Sequence, residues 1–193
     1  SKRPMLVSAY PGPLFRFALE GMLDRSGADL LCLNSEQDLN TYRQGRQAQG
    51  LNSDNAVVTG LPVLWNARPS GKRLEHPSIV FFEQPSIPVH PLQRRYLCRQ
   101  LKALAEAWPD HPVIFKPRTS SIESTLHRRH GEMAGVIEAM RERVPNLQLS
   151  FKPATRLLRT CGCAITVSST AALEAMAMGV STRIVGDLGI TET

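Results

Sequence analysis

The sequence predicts an α/β fold with two lobes, each built on a parallel sheet. Short apolar runs rich in β-branched residues alternate with longer segments of helical periodicity along most of the chain. Helices between successive strands act as crossover connections, which place the strands parallel. The alternation stops in a polar stretch at residues 66–77, which holds two prolines and a glycine, and then starts again. This interruption therefore predicts two lobes instead of one.

The first series of elements covers the N-terminal third of the chain. Its second helix begins at a clear cap, since Ser35 precedes the helix and Asp38 lies three residues later. We predict strands at residues 5–8, 28–33 and 56–59, and helices at residues 14–23 and 35–50. Three strands are too few to bury both faces of a sheet, so we expect the N-terminal lobe to be incomplete in this sequence.

The second series runs to the end of the chain. Its apolar runs are short, as is typical of strands covered on both faces, and helix-forming segments separate them. We predict strands at residues 78–83, 112–116, 147–151, 164–167 and 182–185, and helices at residues 91–108, 131–143, 155–161 and 169–178. This organisation predicts a first lobe at 1–68, a linker at 69–77 and a second lobe at 78–193.

The composition is that of an ordinary globular protein, with 42% hydrophobic and 21% charged residues in a chain of 193. No apolar run approaches the roughly 20 residues of a membrane span, and the N-terminal segment lacks the order of a signal peptide. The 4 cysteines lack the paired spacing of a zinc site or a disulfide framework, so we predict buried thiols. We therefore expect a cytoplasmic protein.

The basic charge does not indicate a nucleic-acid partner. The net charge of +6 is spread over the chain, and aromatic residues, at 6%, are too few to interleave with it on one surface. A positive field suits an anionic substrate, or peripheral association with the inner face of a membrane. His127 and His130 stand among arginines and are predicted to be solvent-exposed, not metal ligands.

The most informative segment is the Ser-rich turn between the last two predicted strands. Ser168, Ser169 and Thr170 follow a β-branched run and open a helix that Gly179 closes. Hydroxyls and free N–H groups in the first turn of a helix form an anion site, so we predict a bound phosphate there. Glu174, one turn later, would reach a ribose hydroxyl. An ordinary N-capped helix would show the same pattern.

Other predicted strand ends carry cations and polar groups. Ligands of open parallel sheets bind beyond the carboxyl ends of the strands, so these residues are site candidates. The predicted phosphate-binding residues are Lys116, Arg118, Ser168, Ser169 and Thr170. The predicted ribose- or base-binding residues are Glu174, Phe151 and Lys152, and the predicted cleft-lining residues are Gln84, Ser86, Pro11 and Gly12.

Several catalytic patterns are missing from the sequence. It has no Walker loop, no G-x-G-x-x-G, no Ser-His-Asp order and no paired metal carboxylates. We therefore expect no cofactor and no metal. What remains is a metal-independent enzyme in which cations and donors stabilise a departing phosphate.

Two stretches resemble a known family. Phe115-Lys116-Pro117-Arg118, followed by Ser168-Ser169-Thr170-x3-Glu174-Ala175-x3-Gly179, is similar to the donor-binding domain of GT-B glycosyltransferases of bacterial capsule and lipopolysaccharide synthesis. The sialyltransferase-like branch is the most similar. Its Ser-Ser motif is matched, whereas Lys116-Pro117 stands where that family has His-Pro. Residues 28–35 and 57–62 resemble the latter part of the acceptor-side domain.

The resemblance implies two Rossmann-like lobes and transfer of a sugar from a CMP- or UDP-linked donor to a surface-glycan acceptor. The Ser-Ser-Thr turn and its few cations suit a single phosphate, which favours the cytidine nucleotide, with its base near residues 151–156. No catalytic residue is predicted. A nucleotide-sugar epimerase of the same architecture and a non-catalytic nucleotide-binding module stay open as alternatives.

Overall fold

The computed structural model describes residues 3–14, 17–65, 67–69, 75–84, 87–118 and 131–188. These residues form an α/β protein with two separate parallel sheets, which confirms the predicted fold class. The chain divides into two compact units, Ser1–Asn66 and Ala67–Ile190. The division falls inside the polar stretch where the predicted alternation stops.

The first unit is a small sheet with two helices. Its elements are β1 (Val7–Ala9), α1 (Ala18–Asp24), β2 (Leu30–Leu33), α2 (Glu36–Ala48), β3 (Ala56–Val58) and a 3-10 turn (Pro62–Leu64). The strands lie in the order β1-β2-β3, and β2 pairs in parallel with both neighbours. Its core is built on Met22, Leu31, Leu33 and Tyr42, which are completely buried.

Two predictions for the first unit have opposite outcomes. The cap of α2 is confirmed, because Ser35 Oγ accepts the Asp38 N–H at 3.1 Å and its hydroxyl donates to the Asp38 carboxylate at 2.8 Å. The predicted start of α1 at residue 14 is wrong. Phe17 has a left-handed backbone (φ 56°), which cannot continue an α-helix, so the helix begins at Ala18.

The second unit is a doubly wound sheet. Its elements are β4 (Ser78–Phe82), α3 (Pro91–Ala107), β5 (Val113–Lys116), α4 (Gly131–Arg141), β6 (Leu147–Leu149), α5 (Ala154–Leu158), β7 (Cys161–Thr166), α6 (Ala171–Ala177) and β8 (Ser181–Ile184). All pairings are parallel, in the order β6-β5-β4-β7-β8. The chain moves outward from β4 to β6 and then returns to β7, so the winding direction reverses between β4 and β7.

Side chains alternate between the two faces of this sheet. Phe81 and Phe115 stack at 5.9 Å between ring centroids in a core cluster with α3 and α4. Val80 and Phe82 point the other way, into a cluster with α5 and α6. Burial on both faces explains why β4 is an almost continuous apolar run.

β7 is longer than predicted because the Cys-Gly-Cys segment is part of the strand. The pairing register with β4 shifts between Ser78 and Ile79, opposite Cys161 and Cys163. A Cβ on Gly162 would lie 2.7 Å from Pro77 Cβ, so only glycine fits at this bulge. Burial raises the pKa of the Cys161 thiol to about 12. The prediction of buried thiols is correct for Cys98 and Cys161, whereas Cys32 and Cys163 are half-buried.

The Ser35 cap can be tested directly. We expect Ser35→Ala to lower the local stability of α2 by about 1 kcal/mol, because an N-terminal N–H group loses its acceptor. Native-state hydrogen exchange of the α2 amides measures this effect in the first unit alone. Ser35→Thr is the control, since it keeps the hydroxyl. Unchanged α2 protection in Ser35→Ala would contradict the role of the cap.

Candidate functional site

A polar pocket lies where the winding of the second sheet reverses. Its volume is about 190 Å³. Its walls come from the carboxyl ends of β4 and β5 and from the starts of α5 and α6: Phe82, Glu83, Lys116, Pro117, Arg118, Ala154, Ser169, Thr170, Ala171 and Glu174. We call it the switch-point pocket, because open α/β sheets bind ligands at this point of reversal.

The switch-point pocket brings together residues that are distant in sequence. Five of the predicted site residues line it: Lys116, Arg118, Ser169, Thr170 and Glu174. The topology explains this, since β5 and β7 are the two neighbours of β4 and all three strands end at the same edge. A lysine at the end of one strand and a serine turn after another therefore meet across β4.

Other predicted site residues are not among the described residues that line this pocket. Ser168 is half-buried beside it, because the turn presents Ser169 and Thr170 to the pocket instead. Phe151 and Lys152 follow β6, the edge strand beyond β5, and both are exposed. Gln84 follows Glu83 and is half-buried.

Three further sets of predicted residues are not tested at this pocket. Pro11 and Gly12 follow β1 in the first unit, where the Gly12 carbonyl accepts a hydrogen bond from Asn34. Ser86 lies outside the described residues, and so do His127 and His130.

The Ser-rich turn is held by one buried hydroxyl. Thr166 Oγ1 donates to the Phe82 carbonyl at 2.9 Å and accepts the Ser169 N–H at 3.2 Å, and Thr166 is 1% exposed. This side chain therefore joins the end of β4, the end of β7 and the turn. Ser169 Oγ in turn accepts the Ala171 N–H at 3.2 Å.

Three N–H groups at the start of α6 that were expected to be free are already bonded. The Ala171 N–H is bound to Ser169 Oγ, the Ala172 N–H donates to the Ser169 carbonyl, and the Leu173 N–H donates to the Thr170 carbonyl. The helix also spans only Ala171–Ala177. A ligand at this turn would therefore meet the hydroxyls of Ser169 and Thr170, of which the Thr170 side chain makes no capping bond.

Two cations reach the pocket from the end of β5. Lys116 is half-buried and its Nζ donates to the Pro117 carbonyl at 2.7 Å. Burial lowers the pKa of Lys116, and the nearby Glu83 carboxyl opposes that shift. Arg118 is exposed, and its backbone N–H points to Glu83 Oε2 at 3.4 Å. These positive groups are suited to an anion.

Glu83 is the site residue that the sequence analysis missed. It directly follows β4 and is only 6% exposed. Its Oε1 is the one buried side-chain oxygen without a hydrogen-bond partner in the described part of the chain. Burial raises the pKa of this carboxyl, opposed by the Arg118 N–H and by the charges of Arg94 and Lys116. The sequence feature that could have identified Glu83 is a charged residue at the end of an apolar strand.

Glu174 gives the pocket a second carboxyl group. It lies on α6 and is half-buried. Burial raises its pKa as well. The pocket thus combines two cations, two hydroxyls and two carboxyls, which suits a ligand that carries both phosphate oxygens and hydroxyl groups.

Two larger cavities of the second unit have a different character. One, of about 340 Å³, lies beside α3 and is lined by Phe81, Leu97, Leu101 and their neighbours. The other, of about 400 Å³, is lined by Ile79, Trp108, Cys163 and their neighbours. Both have mainly apolar walls, so neither is suited to a phosphate.

The described residues contain neither a group of metal ligands nor a membrane-spanning helix. Within those ranges, no three His, Cys, Asp or Glu side chains are grouped so that they could hold a metal ion. None of the helices described there is both long and apolar enough to span a membrane.

The sequence profile of one protein family matches the whole of residues 1–193. Its description is "Putative glycosyltransferase (DUF6716)". The chain belongs to this family. No curated protein matches the sequence.

Two solved structures are similar to the chain at low identity. One is a mutant of S. aureus TarM in complex with fondaparinux, alpha-GlcNAc-glycerol and UDP, with 11% identity and a TM-score of 0.46 over 84% of this chain. The other is HepE from Anabaena in complex with UDP and glucose, with 14% identity and a TM-score of 0.41 over 92% of this chain. The chain spans 31% and 52% of these two proteins.

The Thr166 hydroxyl provides a test of how the turn is held. We expect Thr166→Val to lower the free energy of unfolding by about 2 kcal/mol, because the Phe82 carbonyl and the Ser169 N–H lose a buried partner. It should also speed hydrogen exchange at the Ser169 amide. The control, Thr166→Ser, loses only a methyl group and should leave that exchange rate unchanged. Equal exchange in both variants would show that the hydroxyl does not hold the turn.

Proposed function

We propose that this protein is a glycosyltransferase that moves a sugar from a nucleotide-sugar donor to a surface-glycan acceptor. The single observation that supports this most is the switch-point pocket, where Lys116, Arg118, Ser169 and Thr170 converge in a chain of a glycosyltransferase family. We place the donor phosphate there. The acceptor and the sugar are drawn from the resemblance to capsule and lipopolysaccharide enzymes.

The proposed chemistry depends on stabilising the negative charge of the leaving phosphate. When the bond between the sugar and the nucleotide phosphate breaks, negative charge grows on the departing phosphate oxygen. Lys116 and Arg118 would offset that charge, and the hydroxyls of Ser169 and Thr170 would donate hydrogen bonds to it. With these groups the reaction would run without a metal ion. Half-burial of Lys116 strengthens this effect, since charges interact more strongly away from water.

The rest of the donor would extend from this pocket. We assign Glu174 to a ribose hydroxyl, because its half-buried carboxyl lines the same wall as the proposed phosphate site. The base would lie toward residues 151–156, near the exposed Phe151 and Lys152 and the start of α5. The first unit, with Pro11 and Gly12, is assigned to the acceptor side. Reaction at the inner face of a membrane fits the basic charge.

An epimerase acting on a nucleotide sugar is the second candidate. One observation favours it: the pocket holds two carboxyl groups, Glu83 and Glu174. Incubation with a nucleotide sugar in the absence of acceptor distinguishes the two functions. An epimerase would convert the sugar, whereas a transferase would leave it unchanged or hydrolyse it slowly.

The phosphate site is tested by removing its donors one at a time. We expect Lys116→Ala and Ser169→Ala each to weaken nucleotide binding by on the order of 1–3 kcal/mol, because each removes a hydrogen bond to a charged ligand. Titration calorimetry measures the affinity. The matched controls are Lys102→Ala, in an ion pair on α3, and Ser181→Ala, exposed at the start of β8. Unchanged affinity in both pocket variants would reject the site.

The nucleotide is tested by thermal shift with CMP, CDP, UMP, UDP and GDP. A ligand that binds only the folded state raises the melting temperature. We expect a cytidine nucleotide to give the largest shift, as the sialyltransferase-like branch implies. Stabilisation by UDP or GDP alone would overturn the cytidine assignment and keep the donor site. No stabilisation by any of these nucleotides would contradict the proposed donor site.

A further inference from the structure

The Glu83 carboxyl forms part of the wall of the switch-point pocket, and one of its two oxygens lacks a hydrogen-bond partner among the described residues. Its backbone is fixed by the sheet, because the Glu83 N–H donates to the Lys116 carbonyl at 3.0 Å. Its Oε2 faces the Arg118 N–H at 3.4 Å. Its Oε1 is buried and has no partner among the described residues. A buried polar atom without a partner is costly, so a ligand that supplies one gains affinity.

The surroundings of Glu83 decide which partner Oε1 can take. Arg94 on α3 and Lys116 on β5 act on the carboxyl by their charge, and the Arg118 N–H lies beside it. Glu174 on α6 is the other acid of the pocket, while β7 contributes no charged residue to its lining and α5 contributes Ala154. An ionised Glu83 would repel a phosphate in a space of about 190 Å³, whereas a neutral carboxyl can donate to it.

We propose that Glu83 binds the donor phosphate in its protonated form, with the Oε1 hydroxyl donating a hydrogen bond to a phosphate oxygen, so that donor binding takes up a proton. This inference rests on the proposed donor site. It makes Glu83 a further binding residue of the reaction, and it gives a role to an acid that lines the same pocket as the proposed phosphate-binding cations.

The sign of the resulting pH dependence follows from the charges. Burial raises the pKa of Glu83 above its usual value, and the negative phosphate raises it further in the complex. The protonated form, and with it tight binding, is present below that pKa and is lost as the pH rises through it. Loss of the Lys116 proton also weakens binding at higher pH, since burial lowers the pKa of Lys116. That second effect remains in every Glu83 variant.

The test is titration calorimetry with UDP-glucose and, in parallel, the CMP-linked sugar CMP-N-acetylneuraminate at pH 5.5 and pH 8. In both ligands each phosphate is esterified, so neither has the second phosphate ionisation that a monoester shows near pH 6. We expect the wild-type protein to bind about 10-fold more weakly at pH 8, which corresponds to one hydrogen bond to a charged group. Titration in two buffers with different ionisation enthalpies should also reveal proton uptake on binding.

Two substitutions and a control isolate Glu83. Glu83→Gln keeps a hydrogen-bond donor at all pH values, so it should lose less affinity than the wild type between pH 5.5 and pH 8 and take up fewer protons on binding. Glu83→Met, of similar size, should be about 10-fold weaker than the wild type at pH 5.5. Glu138→Gln, in an exposed ion pair on α4, should keep the wild-type pH profile. A melting curve establishes that each variant is folded.

The outcomes separate this inference from the donor site itself. Wild-type binding that does not change between pH 5.5 and pH 8 would overturn the proton-linked role and leave the donor site standing. The same holds if Glu83→Gln binds as weakly as Glu83→Met, since an ionised acceptor would then be required. Failure of the wild type to bind either nucleotide sugar at any pH would overturn the donor site, and this inference with it.

Discussion

The switch-point pocket depends on one buried hydroxyl. Thr166 Oγ1 ties the end of β4 to the end of β7 and also fixes the Ser169 N–H. These two strands are neighbours in the sheet but are not consecutive in the chain, because the winding direction reverses between them. No single connection therefore joins the end of one to the start of the other. Their backbone ladder runs up to Phe82 and Thr166, and the Thr166 side-chain bond adds a link at its end, next to the turn that carries Ser169. The other wall, from β5, is then positioned by ordinary ladder pairing to β4.

Burial shifts the pKa values of the acids and of the lysine in this pocket in opposite directions. It raises the pKa values of Glu83 and Glu174 and lowers that of Lys116, because each charged form loses hydration. All three groups are therefore closer to neutrality than in water. An anionic ligand would favour the charged form of the lysine and the uncharged forms of the acids. Its binding would therefore select one protonation state for each of these side chains.

Much of this arrangement was predictable from sequence. The strand-helix alternation indicated two parallel sheets, and the rule that ligands bind at carboxyl ends of strands selected Lys116, Arg118, Ser169, Thr170 and Glu174. Glu83 was missed because it was counted as the last residue of an apolar strand, and its burial and unpaired oxygen depend on neighbours 35 residues away in sequence. The satisfied N–H groups of α6 match the alternative of an ordinary N-capped helix, and sequence could not decide between the two because the outcome depends on where Ser169 Oγ lies.

In the proposed donor site, the satisfied turn would leave the binding of an anion mainly to side chains. A helix start with open N–H groups binds any anion through groups that do not titrate. Here the first N–H groups of α6 are already bonded, so the positive charge that an anion meets comes from Lys116 and Arg118, and the donors come from hydroxyls. Side chains can change their protonation and their rotamer, whereas backbone groups cannot. If the pocket binds the donor phosphate as proposed, its affinity would therefore depend on pH and on neighbouring charge, which a site built on free helix N–H groups would not allow.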